Sequence, residues 1–529
     1  MPAIKRVWSR FGRKEFSSRT TFAFMAFLVV YSLARGVAGA AARPFWFDEF
    51  LTLSIASQAS LHDLWTAITR GFDTQPPLFY LLERACLALP VSKEIALRLP
   101  SILSFPVLLM CVFTFVKDRA GQLIAFLCVF VMLSTSLFHL YLIEARGYML
   151  MSTCIAFAVV SYQRSTSPRW TAIMGVSLFL AQSFHYYAVF AMVPFGLAEI
   201  VFLLRTRRFR WQVWAALLFG VLPLIVFWPL LTTIKVYYGS QVFSRLGNFS
   251  SWIWIQYYGL YFFVHEVLGV GLASVSIATI SCSRIWALRA RSEKSESSTA
   301  ATALPERVLF LALTLLPLIL FGVMRVIHGA LLDRYALPAT IGLMSGVASA
   351  LYMVGPRGTA VFALFIAANI GMGEIRFWRH HRTDPLLHED PYSLGSVERV
   401  GQIERFVRNG GHEDLAVVYA HAILYGQVIH YSPGTWTRRL VCLVSQREEL
   451  KYENTDTMFL ALKGLGEFYP IRLADYDEFT ATHPEFLMYA DRMDWPLRSL
   501  SSEATSMQLL RMDGDMMLYL VKMKKNSAN

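Results

Sequence analysis

The sequence predicts a polytopic α-helical membrane protein that carries a soluble α/β domain at its C-terminal end. Of the 529 residues, 55% are hydrophobic and only 16% are charged, whereas soluble proteins have about a quarter charged residues. Long apolar runs separated by short basic loops occupy residues 1–374, and from about Glu374 the composition becomes charged and mixed. We therefore assign a membrane domain to residues 1–374 and an extracytoplasmic domain to residues 375–529.

The net charge of +12 does not indicate a nucleic-acid-binding protein. The basic residues cluster in short loops between apolar runs, which is typical of cytoplasmic loops. The six cysteines form no CxxC pair, so the sequence predicts neither a disulfide framework nor a thiolate metal site. The composition leaves an integral membrane protein as the expected class.

About eleven spans are predicted, with a cytoplasmic N-terminus, because residues 1–20 contain six basic residues and one acidic residue. The apolar run 170–204 is about 52 Å long as a helix, too long for one span. We expect it to form two short spans that bend near His185. The other spans are predicted at 21–42, 99–116, 123–139, 148–162, 214–231, 257–281, 308–324, 335–354 and 359–372.

Arg35 is a basic residue inside the first predicted span. Its long side chain can reach the outer interface by snorkelling. A pair with a carboxylate of the outer loop is the alternative, because unpaired charges within the bilayer are costly.

An outer loop, residues 43–97, follows the first span. Its stretches 50–68 and 78–89 have apolar residues at helical spacing, which predicts amphipathic helices along the membrane surface. Pro76-Pro77 is expected to keep the backbone extended between them, since proline fixes φ and disfavours a helical conformation in the residue before it.

Asp48 and Glu49 lie where the first span ends and water begins. A pair of carboxylates at this depth is costly unless it has partners or a function. Adjacent helical residues face different directions, so the two are not expected to act as a symmetric pair. Asp48 is also a candidate N-cap for a surface helix that begins at Glu49.

Four arginines lie near predicted outer helix ends. A guanidinium group binds phosphate through two parallel hydrogen bonds and stays protonated. Interfacial anchoring, or pairing of Arg146 with Glu144 and of Arg334 with Asp333, is the alternative for each one. The four are Arg98, Arg146, Arg325 and Arg334.

The C-terminal domain shows helix and strand patterns in turn. Apolar residues at helical spacing predict a helix over 396–409. A hairpin is predicted around Asp513-Gly514-Asp515, between strands 508–512 and 516–521. Further buried strands are predicted at 415–419, 440–444, 458–462 and 486–489.

Five segments in the first 375 residues resemble the membrane glycosyltransferases of the GT-C type, and within them the bacterial protein O-mannosyltransferases and the aminoarabinose transferases of lipid A. Their order and their positions relative to the helices also match. The segments are Asp48-Glu49, Asp73-Thr74-Gln75-Pro76-Pro77-Leu78-Phe79-Tyr80, Arg98-Leu99-Pro100-Ser101, Glu144-Ala145-Arg146-Gly147-Tyr148 and Asp333-Arg334-Tyr335-Ala336-Leu337-Pro338.

The resemblance implies transfer of a sugar from a polyprenyl-phosphate donor to a lipid, glycan or protein acceptor at the outer face of the inner membrane. Asp48 would be the general base, and Glu49 would support it or bind the acceptor. The resemblance implies a substrate-binding set of Arg146, Arg334, Arg98, Gln75, Asp73, Tyr80, Tyr335 and His185.

The segment before the two prolines departs from the family pattern. Several relatives have a charged residue directly before the prolines, which helps to hold donor phosphate or a metal, but this chain has Thr74-Gln75. Asp73 and His265 are the candidate ligands for a divalent ion, without any ligand spacing to support them. The sequence requires no cofactor.

A transporter or lipid flippase for cell-envelope precursors is the alternative function. Transporters often contain inverted repeats and helices broken at the midplane. Here the two halves do not match, and the carboxylates cluster in one outer loop. A non-catalytic scaffold that binds a partner is a third possibility.

Overall fold

The computed structural model describes residues 16–246, 297–327, 332–380, 397–432 and 434–524. A 3₁₀ turn, Asp333–Ala336, precedes the last helix before the C-terminal domain. The helices up to that point are α1 Ser18–Ala42, α2 Phe47–Ala56, α3 Leu61–Arg70, α4 Pro77–Leu87, α5 Lys93–Ala120, α6 Gln122–Ser134, α7 Ser136–Leu142, α8 Tyr148–Tyr162, α9 Pro168–Phe184, α10 Ala188–Thr206, α11 Trp211–Val226, α12 Trp228–Leu246, α13 Ser297–Thr314, α14 Leu316–Ile327 and α15 Ala339–His380.

Several helices are suited to cross a membrane, which confirms the polytopic helical class. By length and composition, four described segments qualify, namely α1, α5, α10 and Gly358–Arg379, and two bent helix pairs raise the number to six. The number eleven stays a prediction, and the predicted span 257–281 lies outside the described residues.

The long apolar run breaks at His185, as predicted. α9 ends at Phe184 and α10 begins at Ala188, and His185 between them has an extended backbone (φ −157°, ψ 128°). The two helices have 17 and 19 residues, or lengths of about 26 and 29 Å. Each therefore has roughly the length that a bilayer requires.

The chain also turns back within α15, which covers 42 residues. The Thr359 hydroxyl donates a 3.1 Å hydrogen bond to the carbonyl oxygen of Leu351. In a straight helix, residues eight apart are about 12 Å apart along the axis. The contact therefore requires a reversal between the two residues, where the sequence predicts the end of one span and the start of the next.

Arg35 pairs with a helix rather than with the outer loop. Its Nε lies 3.1 Å from Oε1 of Glu374 on α15, and its guanidinium group lies 4.0 Å from the ring centroid of Phe377. The alternative of a loop carboxylate is wrong, because α15 packs beside α1 and supplies Glu374 as the partner. The pair joins the helix before the outer loop to the helix before the C-terminal domain.

The outer loop forms three short helices, α2, α3 and α4, instead of the two that the sequence predicts. The predicted helix 50–68 is interrupted because Ser60 caps a new helix: its hydroxyl accepts a 3.1 Å hydrogen bond from the backbone N–H of Asp63. Pro76 is extended, as predicted (φ −68°, ψ 155°), and Pro77 begins α4.

The C-terminal domain contains a six-stranded sheet and surrounding helices. The predicted helix over 396–409 and the hairpin are confirmed. Its elements are α16 Val397–Arg408, β1 Val417–Tyr419, α17 Ala422–Tyr431, α18 Gly434–Thr437, β2 Leu440–Val444, α19 Gln446–Tyr452, α20 Thr457–Phe468, β3 Leu473–Asp475, α21 Tyr476–Thr482, β4 Glu485–Ala490, α22 Trp495–Glu503, β5 Ala504–Asp513 and β6 Met516–Met523.

The strand order is β3-β2-β1-β4-β6-β5. The first four strands pair in parallel, and β6 pairs antiparallel with β4 and β5. Val417 lies opposite both Leu440 and Leu487, so buried aliphatic residues continue across the centre of the sheet. This arrangement confirms the α/β class.

The strand predicted at 458–462 is wrong, because these residues belong to helix α20. A short apolar run does not distinguish a buried strand from a buried helix. The buried residues of α20 are Ala461, Leu462, Gly464 and Leu465, which is a helical spacing. The helix packs on the outer loop, and this contact decides its conformation.

The C-terminal domain packs against the outer loop on both sides of the carboxylates. The backbone N–H of Phe45 donates to the Tyr431 hydroxyl (3.0 Å), and the Phe45 carbonyl accepts from the Gln427 amide (2.8 Å). Phe72 stacks on Phe468, with 5.4 Å between ring centroids. Loop and domain share one hydrophobic core, so the domain holds the backbone next to Asp48 and Asp73.

Candidate active site at the outer loop

Asp48 lies in the first turn of α2, not at its N-cap. The helix begins at Phe47, and the backbone N–H of Trp46 donates a 3.1 Å hydrogen bond to Oε2 of Glu49. The N-cap hypothesis for Asp48 is therefore wrong, because Trp46 occupies the cap position. A carboxylate in the first helical turn is stabilised by the helix dipole.

Two arginines flank the Asp48 carboxylate. Oδ2 of Asp48 lies 3.5 Å from Nη2 of Arg146 and 3.5 Å from Nη2 of Arg334. The Asp48 side chain is 19% exposed, whereas those of Asp73 and Glu49 are 1% and 0% exposed. Among the three carboxylates, Asp48 is the one that an incoming molecule can contact.

Arg146 is held in place by Asp73. It donates two hydrogen bonds to the Asp73 carboxylate (2.7 and 2.9 Å) and one to the Thr52 hydroxyl (3.2 Å). Burial would lower the pKa of Arg146, but Asp73 and Asp48 raise it well above its usual value. Arg146 is therefore a fixed positive charge beside Asp48.

Arg334 approaches Asp48 from the 3₁₀ turn before α15. Its guanidinium carbon lies 5.5 Å from the ring centroids of both Trp46 and Tyr148, a distance at which aromatic faces attract cations. Its side chain is 14% exposed, compared with 3% for Arg146. Arg334 is thus the more accessible of the two cations.

Glu49 and Arg98 form a sealed ion pair, and both side chains are 0% exposed. Two hydrogen bonds of 2.8 and 2.6 Å join them, and Glu49 also accepts from the backbone N–H groups of Trp46 and Ala145. Burial alone would raise the pKa of Glu49, but Arg98 keeps it below the usual value. The pair fixes the loop and does not face an open space.

Gly147 brings the Asp73–Gln75 segment close to the break after α9. A Cβ atom at Gly147 would lie 2.2 Å from the Phe184 carbonyl oxygen and 3.0 Å from Oε1 of Gln75. The Gln75 side chain is buried, and neither amide atom has a hydrogen-bond partner among the described residues. Gln75 therefore has unused hydrogen-bonding capacity beside Gly147.

Tyr80 supports the same segment. The backbone N–H of Gln75 donates to its hydroxyl over 3.3 Å. Burial raises the pKa of Tyr80 well above its usual value, and the nearby Asp73 charge adds to the effect. Tyr80 therefore stays neutral.

An aromatic cluster next to Arg334 contains Tyr148, His185 and Tyr335. Tyr187 and Tyr335 stack with 4.2 Å between ring centroids. The His185 ring lies 5.0 Å from Tyr148 and 5.3 Å from Tyr335. The structure thus places both predicted residues next to the site, within an aromatic wall.

No protein-family model and no curated protein matches the chain. Several solved structures resemble it, among them two of ArnT. ArnT from Cupriavidus metallidurans bound to undecaprenyl phosphate has a TM-score of 0.53 and 13% identity, over 94% of this chain and 98% of that chain. The apo state of the same ArnT has a TM-score of 0.44 and 12% identity, over 95% and 98%.

The chain has an ArnT-like GT-C fold. The assignment depends on the first of the two structures, which covers nearly the whole of both chains. At 13% identity the match shows the fold and does not transfer the roles of individual residues. The resemblance stated from the sequence is confirmed at this level.

A metal site in this GT-C fold finds no support among the described residues, where no group of three potential ligands comes together. Both carboxylate oxygens of Asp73 accept hydrogen bonds from Arg146. His265 lies outside the described residues. Asp73 therefore acts as the anchor of an arginine in this structure.

Sequence reasoning missed several contacts of the site. It chose the segment around Arg146 but not Thr52, whose hydroxyl binds Arg146 and the Ala145 carbonyl. It also missed Trp46, whose indole N–H donates to Glu144 (3.1 Å). The position of Trp46 two residues before Asp48 was the available signal; Thr52 gave none.

Proposed function

We propose that this protein transfers a sugar from a polyprenyl-phosphate donor to an acceptor hydroxyl at the outer face of the bacterial inner membrane. The observation that carries the proposal is the partly exposed Asp48 carboxylate, which lies between two guanidinium groups in an ArnT-like fold. The ArnT structure with bound undecaprenyl phosphate supports a lipid-phosphate donor. The acceptor is a lipid, a glycan or a protein.

Asp48 acts as the general base in this mechanism. The acceptor oxygen forms a bond to the anomeric carbon while the bond from that carbon to the phosphate oxygen breaks. The transition state resembles an oxocarbenium ion, as in glycoside hydrolysis. The acceptor proton moves to Asp48, and the polyprenyl phosphate leaves with the bonding electron pair.

Arg146 and Arg334 stabilise the departing phosphate. The leaving phosphate gains negative charge as its bond to the sugar breaks, and preorganised cations stabilise such charge most effectively. Arg146 is fixed by Asp73, so it needs little reorganisation. Arg334 is more accessible and supplies a second guanidinium group, whose parallel N–H groups donate to the phosphate.

Glu49 and Arg98 have a positioning role in this proposal. Their sealed pair holds the Arg43 and Pro44 carbonyls through Arg98 (2.6 and 2.9 Å). These contacts fix the backbone that leads into α2 and therefore the direction of Asp48. Arg98 is thus not assigned to the phosphate.

Gln75 is assigned to the donor, because its amide group, next to Gly147, has both a hydrogen-bond donor and an acceptor without partners among the described residues. Tyr80 holds the Gln75 backbone. Tyr335 and His185 form the aromatic wall against which the sugar or the polyprenyl chain packs. The C-terminal domain is placed on the extracytoplasmic side, and the N-terminus on the cytoplasmic side.

The decisive experiment is Asp48→Asn in the purified protein, supplied with a polyprenyl-phosphate sugar and candidate acceptors. The substitution keeps the shape and removes the base, so we expect the transfer rate to fall about 10²–10⁴-fold. Asp477→Asn is the matched control, because Asp477 is an exposed carboxylate of the C-terminal domain. Transfer at the wild-type rate would exclude Asp48 as the base.

The same preparation tests the transporter alternative. Reconstituted into vesicles, the protein is expected to form a glycosylated product and to leave lipid-linked sugar on its original side. Movement of the lipid across the bilayer without any product would contradict the transferase proposal.

A further inference from the structure

Arg43 differs from the other buried arginines. Four arginine side chains are buried among the described residues, and none is more than 6% exposed. Arg35, Arg98 and Arg146 each contact a carboxylate. Arg43 is 2% exposed, and its Nε and Nη1 atoms have no hydrogen-bond partner in the described part of the chain.

The nearby Glu49 carboxylate cannot accept hydrogen bonds from Arg43. Its charge and that of Arg43 interact, but its two oxygens already accept four hydrogen bonds. A carboxylate has about four acceptor positions. Arg98 and two backbone N–H groups occupy them all, so Glu49 has no position left for Arg43.

The Arg43 charge cannot be removed by deprotonation, since a guanidinium group stays protonated in proteins. A buried charge without a partner is strongly unfavourable. Among the described residues nothing supplies the missing acceptor, so a bound anion would complete the site. Because the guanidinium fork presents parallel donors, a phosphate or carboxylate group fits it best.

We propose that Arg43 binds the phosphate of a membrane phospholipid in the outer leaflet, at a site separate from the donor site. Arg43 directly follows α1, whose exposed apolar face toward this end includes Val30 and Val37, which are 66% and 37% exposed. A lipid whose chains lie along this face presents its headgroup at the outer end of α1.

A lipid explains the location better than a free anion does. Free phosphate gains nothing from the apolar face of α1, whereas a lipid buries its acyl chains there. The donor phosphate is assigned to Arg146 and Arg334, which contact Asp48, whereas Arg43 has no ion pair with Asp48. The inference rests on the proposed function in one respect: it takes the outer loop to lie at headgroup level.

The test measures lipid binding by the full-length protein after delipidation in detergent. Phosphatidylglycerol is titrated in parallel with a neutral, phosphate-free glycosyl diacylglycerol, and bound lipid is counted by native mass spectrometry. Arg43→Met keeps the length of the side chain and removes its charge. Arg43→Lys keeps the charge without the fork, and Arg70→Met removes an exposed arginine that pairs with exposed Glu467.

We expect the wild-type protein to bind one phosphatidylglycerol with at least about tenfold higher affinity than Arg43→Met does. Arg43→Lys is expected to be intermediate, and Arg70→Met to behave as wild type. Phosphatidylglycerol should raise the melting temperature of the wild-type protein and not that of Arg43→Met. The neutral glycolipid should show no such preference.

Equal phosphatidylglycerol binding by the wild-type protein and Arg43→Met would overturn the proposal. So would stabilisation by inorganic phosphate alone that phosphatidylglycerol does not reproduce, because the ligand would then be a free anion. If Arg43→Met does not fold, Arg43→Lys decides by the same affinity comparison. Asp48→Asn should lose transfer and keep the lipid, so a failure of the transferase proposal remains distinguishable.

Discussion

Asp48 and Glu49 are adjacent acidic residues in opposite environments. Asp48 is 19% exposed and lies 3.5 Å from each of two arginines. Glu49 is fully buried, contacts Arg98 at 2.6 Å and has its hydrogen-bonding positions filled. The difference teaches that pairing geometry, more than residue type, separates a carboxylate that is available for chemistry from one that holds the fold.

Helix geometry causes this separation. Consecutive residues of α2 point about 100° apart, so one side chain enters the core where the outer loop meets α5 and the other faces the two arginines. Glu49, whose hydrogen-bonding positions are filled, also helps to position Asp48. Glu49 fixes the first turn of α2, and the Asp48 carboxylate lies 3.5 Å from the two arginines without the saturating set of hydrogen bonds that Glu49 accepts.

Glu49→Ala should produce the largest change in stability. It leaves the buried Arg98 without its counter-charge, so we expect the free energy of unfolding to fall by about 3–5 kcal/mol. Chemical unfolding of the purified protein measures the change. Asp48→Ala is the matched variant and should cost less than about 1 kcal/mol; equal losses would contradict the distinction between the two sites.

Arg334→Lys tests the role of the arginine that lies beside the partly exposed Asp48. Lysine keeps the charge and loses the two-pronged geometry, so we expect kcat to fall about 10–100-fold, or about 1.4–2.7 kcal/mol. The melting temperature should change little, because Arg334 is not part of the sealed pair. An unchanged kcat would show that the second arginine does not contact the departing phosphate.

Gly464→Ala tests whether the C-terminal domain positions Asp73. A Cβ atom at Gly464 would lie 2.3 Å from Cβ of Phe72, so the helix must move away from the outer loop. We expect a loss of about 1–3 kcal/mol in stability and a lower transfer rate.

Gly466→Ala on the same helix is the control for Gly464→Ala. Its Cβ would meet the flexible end of Leu473 at 3.0 Å, and the gain in helix propensity is the same. If both variants lose the same stability and activity, the contact with Phe72 is not what positions the loop.

Glu83 provides a further comparison, because it is a buried carboxyl group without a cationic partner among the described residues. Both of its oxygens lack a hydrogen-bond partner among the described residues. Burial raises the pKa of Glu83 well above its usual value, and the Glu49 charge adds to this. The pKa of Glu49 shifts in the opposite direction, so the presence of a cation decides the charge of a buried acid.

Glu83→Gln should therefore change the pH dependence of stability. The folded protein keeps the Glu83 proton, but the unfolded chain releases it above a pH of about 4.5, so this group costs stability as the pH rises from there. The slope is at most about 1.4 kcal/mol per pH unit. Melting temperatures at pH 5 and 6 should show a smaller decrease for Glu83→Gln; parallel profiles would contradict the assignment.

Much of the helical architecture could be predicted because hydrophobic runs and loop charges are local properties. The break at His185 followed from the length of one apolar run. Strand β2 matched its prediction residue for residue, since a run of aliphatic residues bounded by polar ones suits a central strand. Segment 458–462 failed because its conformation depends on packing against Phe72.

The sequence predicted which residues form the site, but not which side chains pair with each other. The order of the motifs identified Asp48, Arg146 and Arg334. It did not show that Arg146 binds Asp73, that Arg98 pairs with Glu49, or that Nε and Nη1 of Arg43 have no hydrogen-bond partner among the described residues. The two pairs join residues that are 73 and 49 positions apart in the sequence, and no local pattern encodes which of several arginines meets which carboxylate.

Apolar periodicity, basic loops and an ordered set of short motifs are properties of neighbouring residues, so the chain alone specifies a helical membrane protein with its acids in one outer loop. Which acid stays partly exposed and which is buried in an ion pair is decided only when segments that are distant in the sequence come into contact. Electrostatic energy depends on separation and burial, and these quantities exist only after folding has brought α2, α5 and the turn before α8 together.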